Sequence, residues 1–380
     1  MCSSIINLLN KLICIPSISP NDLGCQKIIS KKLLNMGFSI KNFDIKNTKN
    51  MWAEIGSKKN GKTLNFLGHT DVVPSGNLYN WKFDPFTPTI YKGKLFGRGS
   101  SDMKGSISSF IIAIKKFLYN FRNRMKGRIT VLLTSDEEGN AKNGIKKVVE
   151  KLIKKKEKID YCIVGEPTSE KFLGDTIKNG RRGSLHLQLF LKGKGGHIAY
   201  YNSSENLIHK SSLFINDLIK LDWKEKFINK NEITNVQVSK IFSEDTVENM
   251  ISENLFIRIN FRFSYKISVS YIKRCVKNLL NYHKINCNMN WNISAKPFIT
   301  KNGKLLDSVV DSILYFNKNK PNISMSGGTS DGRFINKMKS QIIELGLLNN
   351  TIHKPNEFVK ISDLKKLSKI YEKIIEKLLL

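Results

Sequence analysis

No stretch of the chain approaches the ~18 unbroken apolar residues that a membrane-crossing helix needs, so a membrane partner is not expected. The N-terminus lacks a basic segment followed by an apolar run, so no secretory signal is expected either. The six cysteines form no Cys-x-x-Cys pair, and several lie in apolar runs where Cys acts as a small hydrophobe. Reduced thiols and a cytoplasmic location follow, rather than a disulfide scaffold. Internal repeats and disordered linkers are also missing. Acid is scarce: 32 Asp and Glu face 63 Lys and Arg, a formal net charge of +31. Yet no nucleic-acid-binding motif accompanies the lysines. Lys115-Lys116, Lys146-Lys147 and the run from Lys151 to Lys158 lie on helix faces, where a charge run is a solvated surface. Heavy use of Lys, Asn and Ile is what an AT-biased genome produces, and nucleic acid is not an expected partner. Such a field can still steer an anionic substrate inward.

What is present is a strand-helix alternation over 380 residues, enough for one large or two ordinary domains. Helical spacing marks Ser4 to Ile13, and a second helix capped by Asn21 or Asp22 ends at Gly37. Phe38 to Ile40, Met51 to Ile55 and Leu64 to Leu67 read as strands, and Ile107 to Leu118 as a long apolar helix. Arg128 to Thr134 and Tyr161 to Val164 are buried parallel strands by their β-branched, apolar runs. Between them lies the helix Gly144 to Ile153. After Lys178 the order becomes β-α-β-β-α-β: Ser184 to Leu191, Leu207 to Leu221, Ile233 to Ile241, Leu255 to Phe263, Ile267 to Tyr282 and Cys287 to Ile293. That is the split arrangement of a small α+β sandwich, placed here as an insertion over 181–295. The first domain then resumes over 296–380 with helix Leu305 to Phe316, a tight loop at Met325 to Gly332, strand Gln341 to Leu345 and a closing helix from Leu364.

Three apolar strands of the first domain end in an acid or a histidine: His69, then Glu137 with Glu138, then Glu166. Asp102 lies in the loop opening a helix, and His353 just beyond the last strand. In open α/β sheets that edge is where ligands bind. Singly, each residue is an ordinary surface group or cap. Together, two His and three carboxylates form a mixed N/O set suited to Zn²⁺ or similar ions. Two cations about 3.5–4 Å apart can share one carboxylate and one water. Glu137 and Glu138, being adjacent, cannot point the same way if extended, so one can ligate while the other serves as general base. Asp71 could accept the other N–H of His69.

Gly68-His69-Thr70-Asp71-Val72-Val73-Pro74, Gly97-Arg98-Gly99-Ser100-Ser101-Asp102-Met103-Lys104-Gly105, Ser135-Asp136-Glu137-Glu138 and Gly165-Glu166-Pro167 resemble the di-zinc aminoacylase/carboxypeptidase family of metallohydrolases. The likeness runs nearly end to end, through Lys178 to Ser184, Asn260 to Ser264, Gly327 to Phe334 and Thr351 to Lys354. It implies a zinc-peptidase-like α/β catalytic domain over 1–180 and 296–380, with a mostly parallel sheet flanked by helices. It also implies that the inserted sandwich dimerises. His69 and Glu166 would hold one Zn²⁺, Glu138 and His353 the other, with Asp102 bridging; Co²⁺ is the alternative metal. Glu137 would be the base and Asp71 its catalytic companion. His197, in Gly196-His197-Ile198-Ala199-Tyr200, would reach the partner's site. Read alone, that stretch is only a loop with a His. Arg181, Ser184, Asn249, Arg262, Thr329 and Asn349 match positions that hold a multiply carboxylated small molecule. The implied reaction is hydrolysis of an acylamino acid, against the rival of a non-enzymatic basic binding protein. The chain departs from the family at Asn249-Met250-Ile251-Ser252, where a Pro usually ends the motif, and at Tyr201 to Leu207, which lacks the usual Pro residues. Both departures remove a stiffening residue from a loop.

Overall fold

The computed structural model describes residues 2–203, 205–223, 233–243 and 247–380, in two compact units. The first comprises Met1–Gly180, Ile299–Ser324 and Ser330–Leu380; the second comprises Arg181–Phe298 and Met325–Thr329.

The first unit is built on an eight-stranded sheet. Its centre runs Arg128–Thr134, Thr63–His69, Tyr161–Val164 and Gln341–Glu344, all parallel. Every residue of Thr63–His69, Arg128–Thr134 and Tyr161–Val164 is buried, as expected of strands covered on both faces. The flanks break the parallel rule. Asn50–Gly56 runs antiparallel to Arg128–Thr134, Ser39–Asn42 runs antiparallel to Asn50–Gly56, and Thr176–Lys178 meets Gln341–Glu344 in antiparallel sense. Leu64, Phe66, Ile129, Val131 and Leu133 point to one face, into a core shared with helices Cys2–Ile13, Lys104–Phe121, Lys304–Asn317 and Ile361–Leu379. Phe66 stacks on Phe110 with ring centroids 3.8 Å apart, and Tyr371 meets both edge-on. The helix expected to be capped by Asn21 or Asp22 starts later, at Cys25. Gly24, at φ +100°, occupies the cap position, while the Asp22 carboxylate accepts the Gln26 N–H at 3.0 Å.

The second unit carries a four-stranded antiparallel sheet in the order Asn235–Ser243, Asn254–Phe263, Gly183–Lys192, Cys287–Ala295. Leu185, Leu187, Leu189, Ile257, Ile259 and Phe261 alternate inward against helices Leu207–Lys220 and Val269–Tyr282. Asn206 and Ser268 cap those helices by accepting the backbone N–H of His209 and Tyr271, each at 3.1 Å. The α/β class with a mostly parallel sheet and a separate antiparallel α+β unit is therefore as the sequence predicts. Residue 204, within the Pro-poor segment, lies outside the described residues.

Short strands escape the sequence reading, Thr176–Lys178 and Asn322–Ser324 among them. Thr89–Tyr91, Lys94–Phe96 and Phe358–Lys360 form a three-stranded antiparallel sheet, too short to leave a period in the sequence. It lays the segment before residue 358 beside the segment after residue 96.

Candidate metal centre

Parallel strands in register bring their ends to one edge. His69 stands opposite Thr134, Leu67 opposite Val164, and Glu344 opposite Val164. The chain therefore leaves the sheet side by side at His69, at Ser135 to Glu138, and at Gly165-Glu166. Asp102 arrives from the loop that opens helix Lys104–Phe121, and His353 from the turn before strand Phe358–Lys360.

These side chains converge. His69 Nε2 lies 3.2 Å from Asp102 Oδ1 and 3.7 Å from Glu166 Oε1. His353 Nε2 lies 3.3 Å from Asp102 Oδ2 and 3.0 Å from Glu138 Oε1. Asp102 thus turns one oxygen to each imidazole. Two sets of donor atoms, His69 with Asp102 and Glu138, and His69 with Glu137 and Glu166, each lie within 4.8 Å of one another.

The electrostatics follow from crowding acids out of water. Burial, then the neighbouring Glu166, pushes the Glu137 carboxyl well above the usual range. Burial, then Asp102, does the same to Glu166. Burial alone would press the His69 imidazolium down, but Asp102, Glu166 and Asp71 outweigh it and hold the pKa well above normal. Hydrogen bonds to Asp102 and Glu138 raise His353 to about 10. Burial would raise Asp102, yet bonds to His353 and His69 hold it below the usual carboxylate range.

Two findings refine the expected roles. Asp71 does not take the second N–H of His69 on its carboxylate, which stands 3.7 Å from Nδ1. Its own carbonyl accepts that N–H at 3.0 Å. The Asp71 carboxylate instead accepts the backbone N–H of Glu137 at 3.2 Å and of Glu138 at 3.1 Å, clasping the turn that carries both acids. The sequence reading also assigned no role to Arg98, Glu357 or Asp331. Arg98 and Glu357 form a buried ion pair at 2.8 Å. Asp331 is 3% exposed, and among the described residues neither carboxylate oxygen has a hydrogen-bond partner. Burial raises it to about 7. All three lie in or beside the motifs quoted above; burial was the signal that the sequence could not supply.

The remaining candidates divide between the units. Asn349 belongs to the first, where its N–H donates to the Ser169 carbonyl at 2.9 Å. His197, Arg181, Ser184, Asn249, Arg262 and Thr329 belong to the second. There His197, on a two-residue strand paired with Met250–Ile251, has Nε2 3.2 Å from Asn249 Nδ2. Both side chains are exposed. Buried Arg181 donates to the Ser326 carbonyl at 2.9 Å, and Ser184 stands opposite Arg262 across the small sheet.

The first unit's cluster fits a pair of divalent cations. His69 Nδ1 donates to a carbonyl, so in the neutral ring the Nε2 lone pair faces the oxygens of Asp102 and Glu166. A lone pair aimed at two carboxylates is repulsive unless positive charge stands between them. One proton serves one oxygen; a divalent cation serves all of them at once.

A fold and a site of this kind define a metal-binding hydrolase class. The chain belongs to peptidase family M20/M25/M40, whose sequence profile matches residues 66–377. It is 51% identical over 381 residues to a succinyl-diaminopimelate desuccinylase of Buchnera aphidicola subsp. Acyrthosiphon pisum (strain Tuc7), covering 100% of both chains. It is 51% identical over 375 residues to the protein of that name from subsp. Baizongia pistaciae (strain Bp), covering 99% of this chain and 98% of that one. Solved structures share the fold: a tripeptidase from Staphylococcus aureus matches with TM-score 0.79 and 18% identity, covering 99% and 98% of the two chains. A dinuclear metal binding peptidase of the M20 family from Bacillus subtilis matches with TM-score 0.75 and 15% identity, with 99% and 98% coverage.

Proposed function

We propose that the chain is a succinyl-diaminopimelate desuccinylase. It hydrolyses N-succinyl-LL-2,6-diaminopimelate to succinate and LL-2,6-diaminopimelate, on the route to lysine and peptidoglycan precursors. The observation that carries this reading is 51% identity, over its whole length, to relatives of that name. The convergent His and carboxylate cluster supports it independently.

In this reading His69 and Glu166 would hold one cation, Glu138 and His353 the other, and Asp102 both; the ions would be Zn²⁺, with Co²⁺ as the alternative. When bound, such a pair acidifies a shared water and polarises the amide carbonyl. Glu137 takes the proton of the attacking water and returns it to the departing amine. Its raised pKa suits a group that must both accept and give a proton near neutrality. Asp71, by gripping the backbone of residues 137 and 138, keeps Glu137 aimed while Glu138 ligates. Arg181, Ser184, Asn249, Arg262, Thr329 and Asn349 hold the substrate's carboxylates, a task for which the planar guanidinium fork is suited. The second unit serves as the dimerising insertion, and the partner subunit's His197 donates to the oxyanion as it forms. The enzyme works in the cytoplasm. Among the described residues no helix is long and apolar enough to cross a membrane.

The test is metal analysis with chelation and restoration of activity, followed by a comparison of substrates. Succinyl-diaminopimelate should turn over faster than acetylornithine. Faster acetylornithine cleavage would reassign the chain to the deacetylases. Indifference to chelators would favour a basic binding protein.

A further inference from the structure

We propose that the Arg98–Glu357 ion pair is the device that holds three ligand-bearing loops at a fixed separation and thereby sets how tightly the second cation is held. The inference rests on reading the cluster as a two-cation cage. Arg98 is 2% exposed and Glu357 1%. Each carboxylate oxygen of Glu357 accepts two hydrogen bonds. Oε1 accepts the backbone N–H of Ser101 at 2.8 Å and of Asp102 at 3.0 Å. Oε2 accepts the Gly99 N–H at 3.0 Å and Arg98 Nη1 at 2.8 Å. Arg98 in turn donates from Nη1 to the Lys354 carbonyl at 3.2 Å and from Nη2 to the Pro74 carbonyl at 3.3 Å.

The pair therefore touches the loop after His69, the loop containing Asp102, and the turn containing His353. Those loops are far apart in sequence, and this one buried pair bonds to all three. The His353 backbone needs such support: its φ is +59°, a left-handed conformation that a side chain with a Cβ resists. The Lys354 carbonyl that follows is the one Arg98 grips. Glu357 meets no reacting atom and acts through Asp102 and His353, so it is a positioning residue. Only a carboxylate suits the place. A Gln would turn its NH₂ toward two N–H donors, and an Asp is one methylene short.

The control is a second ion-pair group, around buried Arg128. Arg128 bonds Glu54 at 2.8 Å and Glu157 at 3.0 Å, at the start of strand Arg128–Thr134, the end remote from the cluster. It touches no ligand loop.

The experiment titrates the chelated full-length protein with Co²⁺, by calorimetry and by visible absorption, in wild type, Glu357→Gln, Arg98→Lys and Arg128→Lys. Glu357→Gln should weaken the weaker Co²⁺ site ~10–100-fold and shift the Co²⁺ spectrum. Its kcat should be low at stoichiometric Co²⁺ and recover in excess, with KM within about twofold of wild type. Arg98→Lys keeps the charge but loses the fork, and should weaken the same site about threefold or more. Arg128→Lys should lower the melting temperature and leave both Co²⁺ affinities and the spectrum unchanged. Wild-type affinities and spectrum in Glu357→Gln would overturn the proposal, as would equal weakening by Arg128→Lys. Should Glu357→Gln fail to fold, unchanged Co²⁺ binding by Arg98→Lys overturns it alone. Wild-type protein that takes up no Co²⁺ would instead overturn the cage itself, so the two failures are distinct.

Discussion

The two units hold several of their candidate functional groups differently. In the first, His69, Glu137, Glu138 and Glu166 sit at the ends of fully buried strands, and several candidate ligands are gripped by buried partners: His69 by the Asp71 carbonyl, the Glu137-Glu138 turn by the Asp71 carboxylate, Asp102 by Glu357. In the second, His197 and Asn249 are exposed, and His197 stands on a strand of two residues. A cage for cations must be correct before anything binds, because donor spacing decides which ion enters and how tightly. A group that stabilises a passing oxyanion needs to be correct only in the complex. On the proposed reading, the difference separates what one chain builds from what a partner subunit and substrate complete.

The largest expected effect falls on the buried side. Glu137→Gln should lose ~10²–10⁴-fold in kcat while keeping both cations, because it removes a proton carrier and no ligand. Retained activity in a steady-state assay would remove Glu137 from its role. Next comes the exposed side: His197→Ala should lose ~10²–10³-fold with metal content unchanged. Mixing that variant with Glu137→Gln should restore activity, since a mixed dimer with crossing histidines keeps one intact site. No recovery would confine His197 to its own subunit and weaken the contrast. The smallest effect concerns protons. His353 has a pKa of about 10, against 6.5 ordinarily, so it carries a proton at pH 7. A cation must displace that proton. Affinity should therefore rise with pH through neutrality, and binding should release about one proton from this residue. Calorimetry in buffers of differing ionisation enthalpy measures the release. His197→Ala should leave it unchanged and His353→Ala should reduce it; equal release in all three would deny that the cage alone titrates.

How much of this was legible beforehand depended on distance along the chain. Arg128–Thr134 and Tyr161–Val164 were read to the residue, because an apolar run bounded by polar residues carries its own limits. Four of the five ligand candidates were readable because each ends or follows such a run, Asp102 because it lies in the loop that opens a helix, and the structure brings all five together. Arg98 and Glu357 were not, since their bond joins residues 259 positions apart and neither alone departs from an ordinary surface charge. The partners of the Asp71 carboxylate were hidden for a similar reason. Its nearest donors come from residues 66 and 67 positions on, which proximity in sequence to His69 conceals. The strands Thr89–Tyr91, Lys94–Phe96 and Phe358–Lys360 are three residues each, shorter than any period can reveal.

The pairing of His69 with Thr134 carries one last implication. Side chains on a strand alternate between faces, so a slip of one step along that ladder would swing the imidazole to the far side of the sheet. The misaligned molecule could stay compact and keep its helices, yet on the proposed reading it would lose the imidazole that holds one of the two cations. Metal uptake during refolding is thus a ruler for strand alignment, readable at one atom.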